Sequence, residues 1–244
     1  MSAFLAVYLR EMLILRRRLW RQASAMCVSP LLYMITFGLA LGGTVQVGGR
    51  SYLEFLVPGL AAMASMTQAF GIAGEINVAR FYLHVFEEFQ AAPVSRLAFV
   101  LGEALAGLTR ALLAIVVTLL LGLIFGVRLH YGLWFWLALF LSAFGFASLA
   151  VAAAMVVKTH ADQALLTNFI ITPMAFLGGT FFPLDSLPSW AGKILWLIPL
   201  SHASSAARAG AWGLKPDFSS YAVLGVAALI FLALAVGAVS KARD

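Results

Sequence analysis

ALLAIVVTLLLGLIFGV, residues 111–127, runs for 17 residues without a charge or a proline. A helix crossing the hydrocarbon core of a bilayer needs about 20 predominantly apolar residues, so this run is nearly a span by itself. Directly before it stands LAFVLGEALAGLTR, residues 97–110, still mostly apolar but carrying Glu103 and Arg110. The two charges are seven residues apart and share one face of a helix. A charge at the bilayer centre costs about 2.5–3.5 kcal/mol on insertion scales. A partner charge, a watery cavity or snorkelling toward the nearer surface must offset it. Two readings of Glu103 and Arg110 follow: they line a polar substrate path, or they belong to an ion pair within or between subunits. Because 111–127 fills most of the bilayer, Arg110 sits only about two turns inside the interface.

The rest of the chain repeats the pattern. Of 244 residues, 63% are hydrophobic and 11% charged, with a mean hydropathy of +0.98. A soluble domain carries roughly 25% charge, so lipid is the solvent for most of this surface. Six stretches are apolar and long enough, or nearly so, to span: 23–42, 52–72, 97–127, 133–157, 164–182 and 221–239. The fold class is all-α, a single membrane domain over 1–244 with no internal repeat and no cleavable leader. The lone cysteine, Cys27, forms no internal disulfide.

Basic residues set the orientation. With six spans, one side holds Arg10, Arg16, Arg17, Arg18, Arg21, Arg80, Arg96, Lys158, Lys241 and Arg243, and the other only Arg50, Arg128, Lys193, Arg208 and Lys215. The positive-inside rule then places both termini in the cytoplasm of a bacterial inner-membrane protein.

Three connecting segments carry information. In residues 1–22, Leu5, Tyr8, Met12, Leu15 and Leu19 form one helical stripe opposite Arg10, Arg17 and Arg21. That is the pattern of an interfacial helix turning its arginines toward anionic headgroups; the plainer alternative is a basic flank of the first span. Residues 79–96 place Phe81, Tyr82, Val85 and Phe89 on one face and His84, Glu87 and Glu88 on the other, ended by Pro93. Such a helix suits docking onto a soluble partner, or packing on the protein's own base. The fifth span is interrupted by Pro173 and ends at Gly178 and Gly179. After Pro183, the external stretch 183–220 offers two half-length helices, 187–198 and 201–212, the second capped by Ser201. A re-entrant hairpin at the outer leaflet fits them.

Several chemistries find no footing. The sequence has no Gly-x-x-x-x-Gly-Lys-Ser/Thr phosphate loop, no His-Glu-x-x-His pair and no Gly-x-Ser-x-Gly elbow. Its four histidines are scattered without metal-ligand spacing. Intramembrane acids are too few for an ion-coupled relay. From the residues alone a transporter subunit, an ion-coupled carrier or channel, and a non-transporting scaffold all stay open.

Glu87-Glu88-Phe89-Gln90-Ala91-Ala92-Pro93-Val94-Ser95-Arg96 resembles the coupling-helix segment of type 2 ABC exporter permeases. Thr172-Pro173-Met174-Ala175-Phe176-Leu177-Gly178-Gly179, then Phe182-Pro183, Leu187-Pro188 and Pro199-Leu200-Ser201-His202, is similar to their fifth span and external hairpin. Leu101-Gly102-Glu103 with Arg110 is similar to their third span. The likeness covers the whole chain and lies nearest the nodulation-factor and multidrug branch. It implies a homodimer, or a heterodimer with a homologous permease, in contact with membrane lipids and no nucleic acid. It also implies a cytoplasmic ABC ATPase docked on His84, Glu87, Glu88, Phe89 and Pro93. ATP and magnesium would then sit on that ATPase, leaving this chain without a cofactor, metal or catalytic residue of its own.

Overall fold

A computed structural model describes residues 3–41, 45–83, 94–184 and 187–243. Helices α1 (Ala3–Arg17) and α2 (Leu19–Leu41) lead into a small hairpin, β1 (Gln46–Val47) and β2 (Arg50–Ser51). Then come α3 (Tyr52–Phe70), α4 (Ile72–Phe81), α5 (Arg96–Ile124) and α6 (Leu133–Val156). A broken helix follows: α7 (His160–Leu166), a π turn (Thr167–Ile171) and α8 (Thr172–Leu177). The chain closes with α9 (Ser189–Trp196), α10 (Pro199–Ala211) and α11 (Phe218–Arg243). Gln46 pairs with Ser51 and Val47 with Arg50 across a Gly48-Gly49 turn. The sequence reading contained no such hairpin.

Among the described residues four helical stretches are long and apolar enough to cross a membrane: Tyr52–Phe81, Arg96–Ile124, Leu133–Val156 and Phe218–Ala242. The α3–α4 stretch is the axis of the bundle, with α5 and α6 packed along it and Leu56, Leu60, Met66 and Ile72 fully buried. Helix α11 lies outermost on α6, turning Val226, Leu229, Ile230 and Leu234 away from the protein.

Boundaries shift from expectation for local reasons. Helix α3 is capped by Ser51 and Glu54 reciprocally, at 3.3 and 3.0 Å. The second span does not stop at 72; after a break at Gly71 it continues as α4. The first helix ends at Arg17, and a main-chain bond from Gln22 to Arg18 carries the chain straight into α2. Arg21 and Trp20 therefore belong to α2 rather than to the interfacial helix. The interruption expected at Pro173 falls in the turn before it: Pro173 sits in the first turn of α8, and the backbone just ahead widens to a π turn, Thr172 N–H reaching Thr167 O. This helix starts four residues early because Thr159 and Asp162 form a capping box. Ser201 is no cap either: Pro199 occupies the first turn of α10, and Ser201 lies buried inside it.

Candidate functional site

Helix α1 lies against the first half of α5. Gly102 makes this possible, since a Cβ there would stand 2.7 Å from Val7 Cβ and 3.0 Å from Phe4 O. The fully buried positions of α1 are Val7, Glu11 and Leu15, with Tyr8 and Met12 of the expected stripe packed partly buried beside them. Hydrophobic patterning misses this face because a carboxylate occupies its centre.

Glu11 is 1% exposed, and its neutralisation explains how. Arg10 Nη2 donates to Glu11 Oε1 at 2.6 Å and to Glu103 Oε1 at 3.2 Å. Arg110 Nη2 lies 3.5 Å from Glu11 Oε2, and Arg110 Nη1 donates to Glu75 Oε1 at 3.3 Å. Two guanidinium groups and three carboxyl groups thus tie α1, α4 and α5 together. Glu103 and Arg110 meet through Glu11 and Arg10 rather than by a bond of their own. Arg10 turns inward to this cluster, contrary to the expectation that it faces headgroups; Arg17 and Arg21 are exposed. Buried ions are tolerated only when paired and hydrogen-bonded, so removal of one member leaves the others exposed to that cost.

Beside the cluster runs a groove between α2, α3, α5 and α8. A cavity of about 170 Å³ at the Arg110 end is lined by Gln22, Ala25, Met26, Gln68, Gly71 and Arg110. A second, of about 240 Å³, shares Ala25, Met26 and Gln68 and continues past Ser29, Tyr33, Thr67 and Met63 to Phe176. Beyond it Tyr33, Phe37, Phe176 and Phe181 form an aromatic cluster, with Tyr33 and Phe181 centroids 4.9 Å apart. The groove is therefore polar at one end, mixed along its length and aromatic at the other.

The aromatic end is fixed by α10. Arg208 Nε donates to Phe55 O at 3.1 Å, and its Nη2 donates to Gly179 O and to Thr180 O. Its guanidinium also stacks 3.8 Å from the Phe55 ring centroid. Ser204 donates to Gly178 O at 2.5 Å, and Tyr52 OH to Phe181 O at 2.7 Å. Gly178 and Gly179 are buried here, Gly179 with φ +71 ending α8; Pro183 follows in irregular chain. Helix α10 thus packs into the bundle wall and buries His202, whose Nε2 meets Trp196 O at 2.8 Å. Among the described residues no group of three or more His, Cys, Asp or Glu side chains could hold a metal ion.

His84, Glu87, Glu88, Phe89 and Pro93, the expected docking residues, lie outside the described residues. Sequence reasoning missed Glu11, Glu75 and Arg208 as structural partners. Glu11 was legible only as a polar interruption in an apolar face, and Arg208 only as an outer-side positive charge.

Residues 2–212 match the ABC-2 type transporter family. The Escherichia coli K12 inner membrane transport permease YadH is 29% identical over 93% of this chain and 90% of its own length. Nodulation protein J of Rhizobium meliloti is 31% identical over 73% of this chain and 70% of its own. The daunorubicin resistance ABC transporter permease protein DrrB1 of Streptomyces coeruleorubidus is 28% identical over 73% and 64%. With a match that takes in the charged cluster, the groove and the α10 clamp alike, this chain belongs to the ABC-2 type transporter family.

Proposed function

We propose that this chain is the membrane permease subunit of an exporter driven by a separate cytoplasmic ATPase, working as a pair of permeases in a bacterial inner membrane. In this reading α2 and the α7–α8 stretch complete six spans, both termini are cytoplasmic, and α9 and α10 form the external hairpin. The groove beside α2 is the substrate path, completed by the second copy. Its apolar and aromatic lining suits a lipid, glycolipid, polysaccharide or hydrophobic drug-like molecule, and the relative named for daunorubicin resistance supports that range.

The observation that carries the reading is the charged cluster. It joins α1 and α4, the helix that precedes residues 84–93 along the chain, to α5, which lines the groove. Closure of an ATPase dimer on residues 84–93 would be passed through α4 and Glu75 to Arg110 as a rigid-body displacement. An ATPase lacking a foothold should not couple. The test is co-purification: Glu87→Lys with Glu88→Lys should release a co-expressed ABC ATPase that binds the unaltered chain, and abolish substrate-stimulated hydrolysis. Undiminished association would refute the docking assignment, and flux from the purified chain alone in liposomes would refute the ATP-driven reading.

A further inference from the structure

Helices α6 and α11 run parallel and in step. Tyr221 OH donates to Trp134 O at 3.0 Å near their starts, Gly145 lies against Ala228, and the Phe146 and Phe231 ring centroids stand 6.0 Å apart. Their last turns therefore finish at one level, where Lys158 follows α6 and Lys241 closes α11. Helix α7 packs on α4, Gln163 accepting from Asn77 Nδ2 at 3.1 Å, and two cavities open beside it. One, of about 480 Å³, lies between α6, α7 and α11 and reaches from Leu149 and Leu234 to Lys241. The other, of about 500 Å³, lies between α6 and α7 and reaches from Phe169 and Ile170 to Lys158. They meet at Val156 and Leu166, which line both. Small residues make room in the first: Ala153 lines it, and a Cβ on Gly237 would meet nothing within 4 Å.

Water finds no hydrogen-bond partners in such apolar cavities, whereas an acyl chain fills them. The rim decides what head that chain carries. Both lysines are exposed, and among the described residues neither ammonium has an ion-pair or hydrogen-bond partner. The acid on this rim, Asp162, is already engaged: its Oδ2 accepts from the Lys158 and Thr159 main-chain N–H groups at 3.2 and 3.0 Å. We infer that this cleft binds an anionic two-chain glycerophospholipid of the surrounding bilayer, its acyl chains in the two cavities and its head at Lys158 and Lys241. A lysine stem runs along apolar surface while its ammonium stays at the interface, where basic residues between helices attract anionic heads. A choline head brings its own cation, which the lysines repel. Neither cavity shares a residue with the groove beside α2, so the site is separate from the proposed substrate path. The lipid held here seats α7 on α6 and α11 and is not cargo.

The test uses the purified full-length chain in phosphatidylcholine nanodiscs doped with photoactivatable lipids, with no ATPase or nucleotide present. The probes share the same diazirine-bearing acyl chains and differ only in the head: phosphatidylglycerol, phosphatidylcholine or phosphatidylethanolamine. Crosslinks are mapped by mass spectrometry. A basic residue near an anionic head contributes a factor of about five. Phosphatidylglycerol should therefore label 149–157, 165–170 and 233–238 at a half-saturating mole fraction about twentyfold lower than the other two. Lys158→Gln and Lys241→Gln should each weaken that labelling about fivefold, and together they should bring it to the phosphatidylcholine level. Lys158→Arg with Lys241→Arg keeps both charges and should keep the preference. Gly237→Phe, which fills the first cavity, should cut phosphatidylglycerol labelling of 233–238 and leave 165–170 labelled. Equal labelling by the three heads, or preference for ethanolamine, would overturn the inference. So would a preference that survives the double glutamine variant, or no labelling by any probe, as a second copy of the chain seated on the cleft would give. If a glutamine variant fails to fold, the ranking of the three heads on the unaltered protein decides alone. A negative result leaves the exporter reading standing, since that reading is judged by ATPase association.

Discussion

Arg110 and Arg208 are the same side chain at the same 6% exposure, near opposite ends of the α3–α4 axis, and they are satisfied in opposite ways. Arg110 is held by side chains: Glu11 from α1 and Glu75 from α4, with Glu103 joined through Arg10. Arg208 is held by main-chain carbonyls of Phe55, Gly179 and Thr180 and by the face of Phe55. The first arrangement depends on three elements keeping their relative positions, so it responds to movement of any one. The second staples α10 to α3 and to the end of α8 with acceptors that cannot swing away. The protein thus has a junction suited to transmit displacement at one end and a fixed closure at the other.

Arg110→Met takes the guanidinium from Glu75 and leaves Arg10 alone to neutralise both Glu11 and Glu103, and it should cost about 3–5 kcal/mol of stability, as loss of one partner of a buried ion pair does. Thermal unfolding in detergent measures it. Glu11→Gln added to Arg110→Met should recover part of the loss, and an additive double mutant would contradict the cluster. Arg208→Lys keeps the charge but loses the planar fork and the ring stacking; about 2–3 kcal/mol should go with the unmet carbonyls. Arg110→Lys, which can still reach carboxylates, should lose less. Equal losses for the two lysine variants would erase the distinction drawn between side-chain and main-chain satisfaction.

A smaller effect tests the α1 seat. Gly102→Ala forces a methyl against Val7 and the Phe4 carbonyl and should cost about 1–3 kcal/mol. Val7→Gly in the same chain should restore some of it, whereas Val7→Gly alone should only destabilise.

The smallest concerns the start of α11. Asp217 Oδ1 accepts from Ser219 N–H at 3.1 Å, and its carboxylate also takes the Ser219 and Ser220 hydroxyls at 2.8 Å. The Ser219 hydroxyl first, then that of Ser220, holds this carboxyl below its ordinary value. A carboxyl lowered on folding contributes stability above its unfolded pKa and loses it as pH falls through the folded one. Asp217→Ala should therefore lower the unfolding temperature modestly at pH 7, by a cap's worth of about 1 kcal/mol. The gap to the unaltered protein should close in acid, below the ordinary aspartate range. A gap independent of pH would show that the charge is irrelevant to the cap.

Long apolar runs were legible because each must be solvated by lipid, and length alone decides whether a helix spans. Residues 97–127 were read as one helix, and Arg96–Ile124 form one, ending in a turn at Gly126. The buried face of α1 was illegible for the opposite reason. Its central residue is ionisable, and only knowledge of Arg10 and Arg110 folded against it makes Glu11 a core position. Arg208 was equally hidden, since its acceptors are backbone carbonyls present in every sequence. The cavity at Gln22 and Gln68 joins residues 46 positions apart, a pairing that no local spacing announces.

Sequence by itself determined that this chain is a helical membrane domain, because composition fixes the solvent and the apolar run lengths fix the elements. Tertiary structure alone decided which charges meet, which helix face is buried and where a groove opens. Those outcomes depend on which distant side chains can neutralise one another, and along the chain a buried arginine looks no different from an exposed one.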